Sequence, residues 1–171
     1  SDKRALALSN GTKFILEKID VWKDLVGTLT PIKTIHTSQK GTFGRSLMKA
    51  EEFDQEALGY IISYGDLVRA LQKKIFNSKN IDALYNSEVI SFTSSEKKQK
   101  LRFKCKSKEK SLNCDLLVLA DGGCAEINGI NITRTNKFFE HSALVTHVET
   151  DMPHSNIAYE RFTNMGPMAL L

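Results

Sequence analysis

The chain of 171 residues is sparing in the residues that usually announce a function. It has three cysteines, Cys105, Cys114 and Cys124, and no C-x-x-C pair. That excludes a zinc knuckle and a disulfide framework, and it suits a reducing compartment. Its four histidines form no H-E-x-x-H or comparable spacing, so no metal centre is indicated. No serine lies in a G-x-S-x-G context, which leaves hydrolase chemistry unsupported. No G-x-G-x-x-G occurs, although a dinucleotide site normally opens with that turn. No apolar run approaches the roughly 20 residues of a membrane-spanning helix, and no signal peptide is visible.

What is present describes an ordinary folded domain. Hydrophobic residues make up 41% and charged residues 26%, enough apolar material for a core. The net charge of +4 is mild and does not call for nucleic acid. The chain begins without Met and closes on Met168-Ala169-Leu170-Leu171, which reads as a buried strand cut short. The expectation is a fragment of a longer protein.

The patterning is mixed. Residues 9–26 are expected to be helical, with Ser9 as N-cap and Phe14, Ile15, Ile19 and Trp22 at roughly helical spacing. Ile32 to Thr37 reads as a strand, Gly41-Thr42-Phe43-Gly44 as a hairpin turn, and the chain returns as a strand to about Ala50. Leu58–Ile62 is a further short strand. Leu67, Ala70, Leu71 and Ile75 then mark one face of a helix, with Asp66 as its cap. Val89–Thr93 and residues 100–106 read as strands joined by a turn at Ser94-Ser95-Glu96-Lys97, the second half-buried and antiparallel. Leu116 to Ala120 is apolar without alternation, the mark of a strand buried on both faces, as in a parallel sheet. Three last strands are expected around Ala143-Leu144-Val145, Ile157-Ala158-Tyr159 and Met168-Ala169-Leu170.

Two features invite a functional reading beside a plain one. Asp121-Gly122 closes the apolar run, where open α/β sheets bind ligands. It is also the default composition of a strand-ending turn. Lys100, Arg102, Lys104, Lys106, Lys108 and Lys110 form a basic stripe that suits anionic lipid or a partner. It equally suits a solvated strand that resists aggregation. The stripe carries no interleaved aromatic, which argues against single-stranded nucleic acid.

Several segments, in order, resemble a known family. Tyr159-Glu160-Arg161-Phe162-Thr163 followed by Gly166-Pro167-Met168-Ala169-Leu170-Leu171 is similar to an "E-R-F-T…G-P-L-A-L-L-P" segment. Asp2 to Ser9 resembles "D-x-R-x-I-A-L-S", Val21-Trp22 "G-V-W", Ala57 to Tyr60 "A-L-G-x", and Ala120-Asp121-Gly122 "A-D-G". Pro31 to Gly44 resembles "I-x-x-I-H-V-S-D-x-G-x-x-G". These are segments of the ubiquinone-biosynthesis branch of the FAD-dependent aromatic monooxygenases, which share the fold of para-hydroxybenzoate hydroxylase. The resemblance implies a mixed α/β (α+β) fold: a partial FAD-binding domain over 1–31 and 63–134, interleaved with a partial antiparallel substrate sheet over 32–62 and 135–171.

The resemblance further implies an FAD enzyme that uses O2 and NAD(P)H, or another reductant, to hydroxylate a prenylated phenol. In such an enzyme the cofactor carries the chemistry while the protein binds, orients and excludes water. Carried over by position, Arg4, Asp121 and Gly122 contact the flavin, and Arg161 and Phe162 lie on the sheet that roofs the substrate ring. The family's phosphate-binding G-x-G-x-x-G is expected before Ser1 and its G-D motif after Leu171, so this chain is expected to be inactive alone. The sequence departs from the family after Asp121-Gly122: Ala125 stands near a usual serine, and no arginine follows until Arg134. It also has Ser63, Tyr64 and Gly65 where a basic or amide side chain is usual. Implied partners are the phenol and other ubiquinone-synthesis enzymes, in a bacterial cytoplasm and at the periphery of the inner membrane. The alternatives are a flavoprotein for another phenol, and a non-catalytic module that binds lipid or a partner.

Overall fold

The computed structural model describes residues 4–95, 99–123 and 126–171. Cys124, Ala125, Asp2 and part of the expected turn at 94–97 lie outside them. The described chain divides into two compact units, residues 1–79 with 143–171, and residues 80–142.

The first unit opens with β1 (Ala5–Ser9) and α1 (Asn10–Lys18). Ser9 is the N-cap: its hydroxyl accepts a hydrogen bond from the Thr12 N–H at 3.2 Å. The helix stops at Lys18, well short of the expected residue 26. Asp20 takes φ +57°, the Asp20 N–H donates to the Glu17 carbonyl, and the Val21 N–H reaches back to the Leu16 carbonyl. This is a Schellman ending, closed by packing of Val21 on Leu16 in the core. Two short 3-10 turns, 22–24 and 26–28, continue the chain.

Next come β2 (Thr30–Ile32), β3 (Thr34–Gln39), β4 (Arg45–Lys49), β5 (Gly59–Ser63) and α2 (Tyr64–Phe76). Strand β5 lies between β1 and β2, antiparallel to both. The helices and this sheet enclose Leu8, Leu16, Val21, Leu25, Ala57, Tyr60, Ile62 and Ala70. Each fully buried aliphatic, such as Leu25 or Ile62, contributes about 1.5–3 kcal/mol. Trp22 packs edge-on to Tyr60, with ring centroids 4.9 Å apart. The cap of α2 is Ser63, not Asp66. The Ser63 hydroxyl accepts from the Asp66 N–H at 3.1 Å, and Asp66 sits inside the first turn, bonded to both Ser63 and Arg69. Lys13 is held above the ordinary lysine range, chiefly by its hydrogen bond to the Tyr60 hydroxyl.

The unit's second sheet draws on distant segments. Strands β9 (Ile157–Thr163) and β10 (Gly166–Leu170) form a hairpin, as do β3 and β4. Strand β9 pairs in parallel with β3, giving the order β10-β9-β3-β4. No strand forms at 143–145, contrary to expectation: Leu144 and Val145 are exposed and in irregular chain.

The second unit is an antiparallel meander of β6 (Ser87–Ser94), β7 (Gln99–Cys105) and β8 (Lys108–Cys114). Leu101 and Phe103 are buried on one face of β7, as its alternation requires. Leu116 to Ala120 does not form the expected doubly buried strand. It runs as irregular chain with Leu116 and Val118 exposed. A strand of that kind needs a ladder partner on each side and cover on both faces. Among the described residues, nothing supplies them. The observed class is mixed α+β, with the sheets mostly antiparallel.

The basic stripe also divides. Lys100, Arg102 and Lys104 share the exposed face of β7. Lys108 and Lys110 stand opposite Cys105 and Phe103, on the other face. On the first face Arg102 is paired with Glu109 at 2.7 Å, and Glu88 stands opposite Lys104.

Candidate functional site

The implied cofactor residues fall in both units. Arg4 immediately precedes β1. Its carbonyl accepts from the Tyr64 N–H at 2.8 Å, and its guanidinium lies over the Tyr64 ring, 5.2 Å from the centroid. The N-terminal entry of β1 is thereby tied to the start of α2, and the cation–π contact sets the side-chain direction.

Asp121, Gly122 and Gly123 form an exposed turn in the second unit. The Asp121 carboxylate accepts from the Gly123 N–H at 2.9 Å, an Asx-type closure. Gly122 and Gly123 have φ of +74° and +78°, a conformation that favours glycine. A Cβ at either position would meet nothing within 4 Å. The turn therefore places two residues without side chains, with open space over them, beside a carboxylate. The carboxylate suits a sugar hydroxyl, and the open space over the glycines suits the close approach of a phosphate. No G-x-G-x-x-G turn accompanies it in the sequence.

Arg161 and Phe162 lie on β9, next to one another. Neighbours on a strand point to opposite faces, so the two cannot line one surface. The registers assign the faces. Tyr159, Arg161, His36, Ser38, Arg45, Leu47, Met168 and Leu170 share one face. Ala158, Glu160, Phe162, Ile35, Thr37, Ser46, Met48 and Ala169 share the other.

On the first face Arg161 donates to the Ser38 hydroxyl at 3.3 Å, and His36 packs against Tyr159 with centroids 5.4 Å apart. A recess of about 400 Å³ opens there, lined by His36, Ser38, Arg45 and Arg161 with the residues of the β3–β4 turn. In the sequence His36 lacks a metal spacing and reads as surface or structural by default, and Ser38 and Arg45 are not singled out. The turn at 41–44 fixes the pairing of Ser38 with Arg45, so half of this row was open to inference. The other half depends on the parallel pairing with β9.

No family model matches the chain. It is 25% identical over 169 residues to an uncharacterized protein of Synechocystis sp., slr1300, covering 98% of this chain and 41% of that protein. The chain thus spans about two-fifths of the length of this curated relative. Its structure is similar to that of p-nitrophenol 4-monooxygenase PnpA from Pseudomonas putida DLL-E4. The TM-score is 0.53 at 12% identity, over 65% of this chain and 29% of that one. Tetracycline destructases Tet(51) and Tet(55) align with TM-scores of 0.46 and 0.44, at 16% and 19% identity, over 70% and 68% of this chain and 28% and 27% of theirs. The fold of this chain is thus like that of part of a monooxygenase.

Proposed function

We propose that this chain is part of a flavin-dependent aromatic hydroxylase of the 2-octaprenyl-6-methoxyphenol hydroxylase type, acting on a prenylated phenol in ubiquinone biosynthesis. One observation carries the reading. The segment resembling "E-R-F-T…G-P-L-A-L-L" forms the β9–β10 hairpin of a mixed sheet, in a chain whose fold is like that of a phenol monooxygenase.

The turn at Asp121 suits the ribose and phosphate part of an FAD. Asp121 would accept from ribose hydroxyls, and the open space beside Gly122 and Gly123, which carry no side chain, would admit a phosphate. The resemblance gives Arg4, at the entry of β1 in the first unit, a flavin contact of its own. When bound, the flavin supplies O2 activation and transfer of one oxygen atom to the electron-rich ring. The chain's own task is to bind and orient the ring and to keep water from it. Of the two faces of the β10-β9-β3-β4 sheet, that of Phe162 suits a prenylated phenol better. Ile35, Met48, Ala158 and Ala169 share it, and Glu160 and Thr37 stand opposite one another as hydrogen-bonding groups for the hydroxyl. Arg161 belongs to the reverse face and is left out of this role.

The test uses the longer protein that contains this chain. Purified, it is expected to carry flavin absorbance and to consume reductant and O2 when given a prenylated phenol, with a hydroxylated product seen by mass spectrometry. Asp121→Asn is expected to weaken FAD binding without unfolding the protein. The 171-residue chain by itself, lacking G-x-G-x-x-G, is expected to bind FAD weakly or not at all. A folded longer protein that takes up no flavin from excess FAD would refute the reading. Flavin with turnover only on a different phenol would transfer it to another substrate.

A further inference from the structure

Because β3 and β9 run in parallel, their C-terminal ends coincide. Both hairpins therefore turn at the same end of the sheet, β3–β4 through Lys40 to Gly44 and β9–β10 through Asn164 and Met165. The Lys40 N–H donates to the Phe162 carbonyl at 2.8 Å and ties the two turns together. Gly41 and Gly44, at φ +83° and +108°, bracket Thr42 and Phe43 and hold them out as a tip. The second turn is closed by Thr163, whose hydroxyl accepts from the Met165 N–H at 3.1 Å and donates to the Gly166 carbonyl at 2.8 Å.

The two tips carry unusual residues for loops in water. Phe43 is 108% exposed and Met165 97%. Single exposed apolar residues need no explanation. Here the two most exposed large apolar residues among those described stand on adjacent turns at one end of one sheet, with Met168 on β10 also exposed. Around the tips the charge on the Arg161 face has one sign, and the neighbouring acid on β9, Glu160, stands opposite Thr37 on the other face. Residues 39–45 and 161–168 contain Lys40, Arg45 and Arg161 and no Asp or Glu. Arg45 and Arg161 flank Ser38 in register on one face, lining the recess of about 400 Å³. Among the described residues neither guanidinium has a carboxylate partner.

Apolar tips inside a cationic collar without acids match the two layers of an anionic bilayer surface: headgroup phosphates outside, acyl chains beneath. A protein partner would have to offer both acids to these cations and a pocket to each apolar tip, whereas one bilayer surface supplies both layers at once. We propose that this end of the sheet docks on an anionic phospholipid surface. Phe43 and Met165 enter the headgroup–acyl boundary, while Arg45 and Arg161 hold a headgroup phosphate across Ser38. A guanidinium pair suits phosphate oxygens through its fixed donors. The contact is peripheral, and no helix among the described residues is long and apolar enough to cross a membrane. The proposal stands apart from the flavin reading, since its assay reads neither flavin nor turnover.

The experiment is co-sedimentation of the purified protein with mixed phosphatidylglycerol–phosphatidylcholine vesicles and with pure phosphatidylcholine vesicles. Binding is expected to the mixed vesicles and to weaken with salt. Each cation at the surface is worth about fivefold in partitioning, so Arg45→Gln with Arg161→Gln is expected to lose about 25-fold. Phe43→Ala with Met165→Ala is expected to lose about tenfold or more. Lys100→Gln with Lys104→Gln, on the second unit's exposed strand face, is the control and is expected to change binding little.

A Phe43→Trp variant gives a direct readout of insertion: its fluorescence is expected to be quenched by brominated acyl chains. Circular dichroism confirms that each variant is folded. Four outcomes would overturn the proposal. They are no binding to anionic vesicles, binding carried by Lys100 and Lys104 instead, an unquenched Trp at 43, or titration showing that Arg45 and Arg161 take inorganic phosphate while vesicles do not bind.

Discussion

Gly59 gives the sharpest test of how the first unit is assembled. It sits in β5, paired with Ser9 on one side and Ile32 on the other. A Cβ at this position would lie 2.8 Å from the Leu8 carbonyl oxygen. That falls about 0.6 Å short of the 3.4 Å at which ordinary contact begins. The obstacle is backbone, not the movable end of a side chain. Leu8 is itself buried and paired with Tyr60, so relief must come from parting β1 and β5. Overpacking of this kind costs about 1–3 kcal/mol. Removing glycine's freedom from the unfolded chain returns about 0.4–1 kcal/mol.

Gly59→Ala is therefore expected to destabilise the unit by about 1–2 kcal/mol. With a urea slope near 2 kcal/mol per molar, the midpoint should fall by about 0.5–1 M. Trp22 is the chain's single tryptophan and packs on Tyr60, so its fluorescence reports this unit. Gly27→Ala is the control: a Cβ there meets nothing within 4 Å, and the midpoint should hold or rise slightly. If Gly59→Ala is as stable as the parent, or Gly27→Ala loses as much, the close approach of β1 and β5 is wrong.

Three further outcomes are expected. Ser63→Ala removes the acceptor for the Asp66 N–H at the start of α2 and should cost about 1 kcal/mol by the same urea assay, with Ser63→Thr recovering most of it. Phe103→Ala empties a buried position of β7 and should cost about 3–5 kcal/mol, seen as faster hydrogen exchange across β6, β7 and β8. Asp20 is held below the ordinary carboxylate range by Lys23 first and Lys74 second. Its contribution to stability is therefore present above that range and lost as pH falls through its lowered pKa. Lys74→Gln should move the Asp20 titration, followed by NMR, part of the way back up, since Lys23 remains. An unmoved titration would remove the link between α2 and the end of α1 at this point.

The elements whose signals are local were legible in the sequence. The β3–β4 hairpin follows from glycines bracketing its turn, the buried face of β7 from strict alternation, and α2 from the spacing of Leu67, Ala70 and Leu71. The end of α1 was not, because its left-handed residue is Asp20 and not the glycine that usually marks a Schellman ending. The apolar side chains that follow, Val21, Trp22 and Leu25, keep a helical rhythm while belonging to a core reached by a tight reversal. Asp66 reads from the sequence as the cap of α2, but it is an acid inside the first turn. Ser63 belongs to β5 and caps the helix from there.

What resisted reading was pairing. Leu116 to Ala120 has the composition of a central strand, yet composition states only that such a segment can bury both faces. It cannot supply the two ladders that would make it do so, and the run remains irregular chain. Strand β9 is the converse. Its sequence is polar at Glu160 and Arg161, and its pattern alone would suit an edge. It lies inside the sheet because β3, more than a hundred residues earlier, offers a parallel partner. The same pairing separates Arg161 from Phe162. The family resemblance gives both residues to the sheet over the substrate ring, without assigning their faces. The pleat sends Phe162 to the face of Ile35, Met48 and Glu160, and Arg161 to the row with Ser38 and Arg45. A segment that reads as one motif therefore serves two surfaces, and substitutions at its adjacent positions should have separable effects: Phe162→Ala on the binding of a phenol, Arg161→Gln on the binding of a phosphate-bearing surface.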